Sequence, residues 1–187
     1  MNTLYIKNMV CHRCVLSVRE TLRKNHIVPL SVTLGEIALP NELTTTQKHT
    51  LRLDLEFLGF EILDDQNSQL IEKVKISLIE QVQSGELPED FSLVKFISAA
   101  FHRDYSAISK LFSEVEGITL EQFFILQKTE KVKEWLVYNE LTLSEIAFRL
   151  GYSSVAYLSG QFKKVTGMTP TAFKSGRSGH RKALDQV

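Results

Sequence analysis

Apolar positions change their spacing several times along the chain, and each change marks an element. Leu4 and Ile6, with Met9 beyond them, alternate with Tyr5 and Lys7, which predicts a short strand. Helical spacing takes over at Val15, Val18 and Leu22, and the stretch around Ile27 to Pro29 ends that helix. Residues 31–34 and 37–39 are short runs broken at Gly35-Glu36, the pattern of a hairpin. Thr44 to Thr46 cap a helix through Leu51, Leu55 and Leu58, Gly59 ends it, and Phe60 to Leu63 makes a last strand. The predicted order is βαββαβ, a ferredoxin-like α+β domain over residues 1–65.

From there the spacing is helical. Ser68 is the expected cap of a helix carrying Leu70, Ile71, Val74, Leu78, Ile79 and Val82. Its apolar residues cover more than one narrow face, which suits a packed connecting helix; pairing with a second copy, giving a homodimer, is the alternative. Ser84 to Asp90 contains Gly and Pro and reads as a linker, so residues 66–90 form the connector. An all-α domain with two helix-turn-helix units follows over residues 91–175. Ser92 caps Leu93, Phe96, Ile97 and Ala100; Ser106 opens a helix with Ile108, Leu111, Phe112 and Val115, which Gly117 closes. Residues 122–138 form a long helix with Trp135 towards the core. Ser144 precedes a short helix ended by Gly151, and Ser153 or Ser154 opens another that buries Val155, Leu158, Phe162 and Val165. Two helices joined by a short Gly-containing turn, with small Ala147 where they cross, form the helix-turn-helix arrangement. Residues 176–187 lack an apolar period and read as a mobile basic tail.

Charge sharpens this division. The 187 residues carry equal numbers of acidic and basic side chains, yet residues 84–148 have a net charge of −5 and residues 149–187 a net of +6. A basic end on a neutral chain is the footprint of a phosphate-binding face. No apolar run approaches membrane-spanning length and no signal-like segment opens the chain, so the expected setting is cytoplasmic, away from the membrane. No Ser-His-Asp set, phosphate-cradling Gly-rich loop or carboxylate pair in a catalytic context is present, and the chain is not expected to be an enzyme.

On the last long helix, Ser154, Tyr157, Gly160, Gln161 and Lys164 face outward, and Lys163-Lys164 end it. Short polar groups suit base edges and a lysine pair suits phosphate. The run IAFRLGYSS, then AYLSGQFKK and TGMTPTAF, resembles the second helix-turn-helix of AraC-type transcription regulators, and YSAISKLFSEVEGITLEQF resembles the first. The resemblance implies a sequence-specific regulator of double-stranded DNA, with RNA polymerase a further partner. It assigns DNA contacts to Ser106, Lys110, Ser153, Ser154, Tyr157, Gly160, Gln161, Lys163 and Lys164. Asp104, Glu114 and Glu116 surround the first unit where relatives often carry Lys, so that unit is expected to contribute less. At Gly160 many relatives carry an Arg able to read guanine.

Cys11 and Cys14 stand in the loop Met9 to Cys14, MVCHRC. With the βαββαβ order, this loop resembles the M-x-C-x-x-C loop of heavy-metal-associated domains, a likeness covering Thr3 to about Asp64. Asn8 departs from the Gly common before the motif, and His12 and Arg13 replace smaller residues. Soft thiolates at this spacing suit Cu(I) and, less selectively, Zn(II). Placing Cys14 in the first helical turn predicts a thiol pKa lowered by the helix dipole. Metal sensing, a dithiol–disulfide switch and an inert structural loop remain alternatives, as does a metal carrier whose helical domain binds protein.

Overall fold

In a computed structural model that describes residues 2–176, the chain divides into two compact units, Met1–Ile76 and Ser77–Val187. The division falls inside a helix rather than at the Ser84–Asp90 stretch expected to be a linker. The predicted tail from 177 onward lies outside the described residues.

The first unit runs β1 (Asn2–Lys7), α1 (His12–Lys24), β2 (Ser31–Thr33), β3 (Glu36–Leu39), α2 (Thr45–Phe57) and β4 (Glu61–Leu63), and its strands form a small antiparallel sheet ordered β2-β3-β1-β4. Alternation decides its faces. Leu4 and Ile6 pair across the ladder with Ile37 and Ile62. Together with Val15, Val18 and Leu22 of α1 and Leu51 and Leu55 of α2 they form one core. Tyr5 and Glu36 point to the opposite face. There Lys73 of α3 (Gln66–Gln83) donates to the Tyr5 hydroxyl at 3.3 Å, lies 4.5 Å above its ring and pairs with Glu36 at 3.1 Å. The first part of α3 thus belongs to the sheet.

The second unit contains α4 (Leu93–Phe101), α5 (Tyr105–Glu116), α6 (Leu120–Tyr138), α7 (Leu143–Arg149), α8 (Val155–Thr166) and α9 (Pro170–Ser175). The expected long helix starts two residues earlier, at Leu120, because Thr119 caps it through the Gln122 N–H. α6 packs against α5, α8 and α9. One cluster joins Val82, Leu87, Val132, Trp135, Leu136, Ile146, Leu150, Tyr152, Leu158, Phe162 and Phe173. Phe112 of α5 and Phe123 of α6 meet with ring centroids 5.4 Å apart.

Three expected caps move upstream. Asp65, not Ser68, accepts at the start of α3, from the Ser68 N–H at 2.8 Å. Thr142, not Ser144, caps α7 in a reciprocal box with Glu145. Asp104 stands at the N-cap of α5, with Ser106 inside the helix donating to its carboxylate. Ser92 and Ser154 do cap α4 and α8.

The expected linker is instead part of the second unit. The Leu87 N–H donates to the Arg149 carbonyl at 2.7 Å, and Leu87 is buried. Gly151, in the α7–α8 turn, has φ +60°, and a Cβ there would stand 2.6 Å from the Pro88 carbonyl oxygen. Glycine is therefore needed at that turn for its backbone angle and also because another chain segment crosses over it.

Candidate nucleic-acid interface and dithiol loop

The α7–α8 pair is organised by its turn. Ile146, Ala147, Leu158 and Phe162 are buried against the core, which fixes the opposite side of α8 outward. The Ser154 hydroxyl accepts from the Tyr157 N–H at 3.0 Å and starts the helix. Ser153, Ser154, Gly160, Lys163 and Lys164 are exposed, Tyr157 is 58% exposed, and Gln161 is half-buried. Gly160 leaves open space, with nothing within 4 Å of where a Cβ would lie. The end of α8 carries Lys163 and Lys164 beside its C-cap, Gly167.

Gln161 is less free than sequence indicates. The Tyr152 hydroxyl donates to its Oε1 at 2.9 Å. Tyr152 is itself buried, and the Lys128 ammonium lies 3.6 Å from its ring centroid. Burial holds the Lys128 pKa down at about 8, while the aromatic face favours the charged form. Neither Tyr152 nor Lys128 stood out in the sequence. The aromatic after Gly151 reads as core, and Lys128 lies on a helix whose charged residues look solvent-facing.

The first helix pair presents a different surface. Lys110 has a 79% exposed side chain and lies 3.9 Å from Glu114 on the same helix. Ser106 spends its hydroxyl on Asp104 at the helix start. Carboxylates next to both groups oppose a phosphate approaching α5.

In the first unit, Cys11 is the N-cap of α1 and Cys14 lies in its first turn, with the sulfurs 3.5 Å apart and both cysteines free. Partial burial resists ionisation of Cys11. Hydrogen bonds from the backbone and thiol of Cys14 and from Arg13 outweigh it and hold the Cys11 thiol below its ordinary value. Burial and the neighbouring Cys11 push Cys14 up. The expected low-pKa thiol is thus the cap residue and not Cys14, because the freed N–H groups of the helix start point at Cys11. Among the described residues no group of three or more His, Cys, Asp or Glu side chains gathers here, so His12 does not complete a three-ligand cluster. Asn8 adopts φ +72°, a conformation Asn tolerates in place of Gly. Its backbone N–H donates to Glu72 of α3 at 3.0 Å, and its side chain donates to the Gly59 carbonyl at 2.9 Å.

Among the described residues, no helix is long and apolar enough to cross a membrane. Residues 97–176 match the family model of a helix-turn-helix domain. The chain is 27% identical over 104 residues to a probable transcriptional regulator, LumQ, of Photobacterium leiognathi, matching 56% of this chain and 42% of that protein. It is 27% identical over 114 residues to an uncharacterised HTH-type transcriptional regulator of Staphylococcus aureus, of which it covers 14%. The chain therefore spans less than half the length of these relatives. The C-terminal domain of AraT, a response regulator from Geobacillus stearothermophilus, shares the fold with a TM-score of 0.52 at 22% identity, over 64% of this chain and 94% of that one. Two helix pairs joined by α6 thus lie where the chain matches a helix-turn-helix domain, over residues 97–176, and where it shares its fold with the C-terminal domain of AraT.

Proposed function

We propose that the chain is a transcription regulator that binds double-stranded DNA chiefly through α8. The observation that carries this reading is the outward face of that helix, where Ser154, Tyr157, Gly160 and Lys164 stand clear of the core with Lys163 beside them. A helix so exposed can enter a major groove, with its short groups at base edges and its lysines at phosphates. The α4–α5 unit contributes less, because Asp104 and Glu114 accompany Ser106 and Lys110.

Fluorescence anisotropy of the full chain with a randomised duplex pool tests this. Binding should weaken steeply with salt, and Lys164→Ala should flatten the slope of log K against log salt by about one unit, more than Lys110→Ala does. Salt-independent binding, or no binding, would overturn it.

The first unit is proposed to be a ferredoxin-like sensor of the heavy-metal-associated kind, a reading supported by its element order and its thiol pair. Cys11 and Cys14 would hold a soft cation such as Cu(I) or Zn(II) as thiolates. Their 3.5 Å separation is close to the roughly 3.8 Å between sulfurs of a tetrahedral site with Zn–S bonds of about 2.3 Å. Holding it requires Cys14 to lose its proton as well as Cys11. Asn8 connects this loop to Glu72 on α3, and α3 ends at Gln83 in the second unit. Metal content of the reduced full chain, and DNA affinity with and without Zn(II) or Cu(I), test the proposal. A response that persists when both cysteines become Ser would leave the first unit as a scaffold or dimerisation domain.

A further inference from the structure

We propose that Tyr152 is a specificity-determining positioning residue: it holds the Gln161 amide with its oxygen turned into the protein and its nitrogen turned towards the duplex. The inference rests on the reading of α8 as the DNA-contacting helix and goes beyond it by assigning the chemistry that one position on α8 accepts.

The geometry has three parts. First, Tyr152 is itself immobilised. It is buried, its backbone N–H donates to the Ala147 carbonyl at 2.9 Å, and the Lys128 ammonium sits 3.6 Å from its ring centroid. Second, its hydroxyl reaches α8 and donates to Gln161 Oε1 at 2.9 Å. Third, Gln161 lies between Tyr157 and Lys164 on the outward side of α8. Gly160 beside it adds no side chain to compete for the same space.

A free glutamine reads adenine with both ends of its amide, the oxygen accepting from N6 and the nitrogen donating to N7. With Oε1 turned inward onto the Tyr152 hydroxyl, its second lone pair also faces away from the duplex, and the group left outward is an NH₂ that only donates. Such a group fits a base edge that presents acceptors: guanine, through O6 and N7, fits best, and thymine O4 is next. Adenine also offers N7, but its N6 amino group then meets no outward acceptor on Gln161, and cytosine offers only its N4 amino group, so both are disfavoured. A phosphate oxygen also accepts, but a phosphate contact would carry no base preference.

The test is selection of bound duplexes from a randomised pool by the full chain and by Tyr152→Phe. The variant keeps the ring and its contact with Lys128 but lacks the hydroxyl. Wild type should prefer guanine or thymine at one position of the selected site. Tyr152→Phe should admit adenine there, with discrimination at that position falling about tenfold and other positions unchanged. Gln161→Ala should erase the preference at the same position, and adding Tyr152→Phe to it should change nothing more, as for residues acting in series. Gln161→Glu leaves Tyr152 its acceptor but has no N–H to offer, and should move the preference towards cytosine. The wild-type arm stays decisive if Tyr152→Phe melts early, because a glutamine not held by Tyr152 would select adenine at that position and so overturn the inference. An unchanged base preference in Tyr152→Phe, or a uniform loss of affinity for every duplex, would overturn the inference while leaving DNA binding intact. Absence of salt-dependent binding by the wild-type chain would instead remove the DNA-binding reading on which it rests.

Discussion

Lys128 shows how one buried cation shapes a helix-turn-helix core. It is 8% exposed, and burial holds its pKa down at about 8, against an ordinary lysine value of 10.5. Between those values an unfolded chain carries a proton that the folded unit has released. Raising the pH through this window therefore stabilises the fold, and below about pH 8 both states are protonated and the effect vanishes. The gain should be on the order of 1–3 kcal/mol, because the Tyr152 face offsets part of the desolvation. Denaturant melts between pH 7.5 and 10 should show it, and Lys128→Met should flatten the dependence. Residue-scale chemistry of this kind was poorly legible in the sequence. The spacing Cys-x-x-Cys placed both thiols correctly at a helix start, but which one is acidic depends on where the N-cap falls. That is set by backbone angles at one residue. Likewise Gln161 was legible as outward, whereas its hydroxyl partner came from a residue that pattern alone assigns to the core.

At the scale of elements, apolar spacing located the helices and strands well, since burial of a stripe is what selects each of them. Their starts were less legible. Serines at 68, 106 and 144 lie within first turns, where they resemble caps, yet Asp65, Asp104 and Thr142 stand at the starts themselves. The Thr142–Glu145 spacing is a capping box and was readable in principle. The crossing of the α7–α8 turn by Leu87-Pro88 was not, because no local pattern announces a contact sixty residues away. It makes a sharp prediction. Gly151→Ala would meet both a left-handed backbone angle and the Pro88 carbonyl, and should cost about 1–3 kcal/mol, read as a lowered melting temperature of the full chain. Gly160→Ala, in open space within α8, should be neutral or slightly stabilising by comparison.

For the whole molecule, composition indicated two functional halves, and the asymmetry of charge pointed to the basic one. Where they part was obscured because Gly and Pro in Ser84–Asp90 look like a flexible join. In the structure these breakers turn the chain back onto α7, and the units divide within α3, between Ile76 and Ser77. Fragments should expose the difference. A piece beginning at Ser77 retains Val82 and Leu87, whereas one beginning at Phe91 loses both from its core and leaves the Arg149 carbonyl without its donor. Thermal unfolding followed by circular dichroism should give a cooperative, higher transition for the first and a lower, broader one for the second.

The peptide from Leu87 to Pro88 also acts as a sighting bracket. It is clamped to the bend from which α8 departs, so a shift of the strap by a fraction of an ångström would re-aim the helix proposed to enter the groove while every side chain on it stayed intact. On the proposed reading of α8, substitutions at 87, 88 or 151 would then alter where the protein sits along a duplex before they altered how tightly it holds.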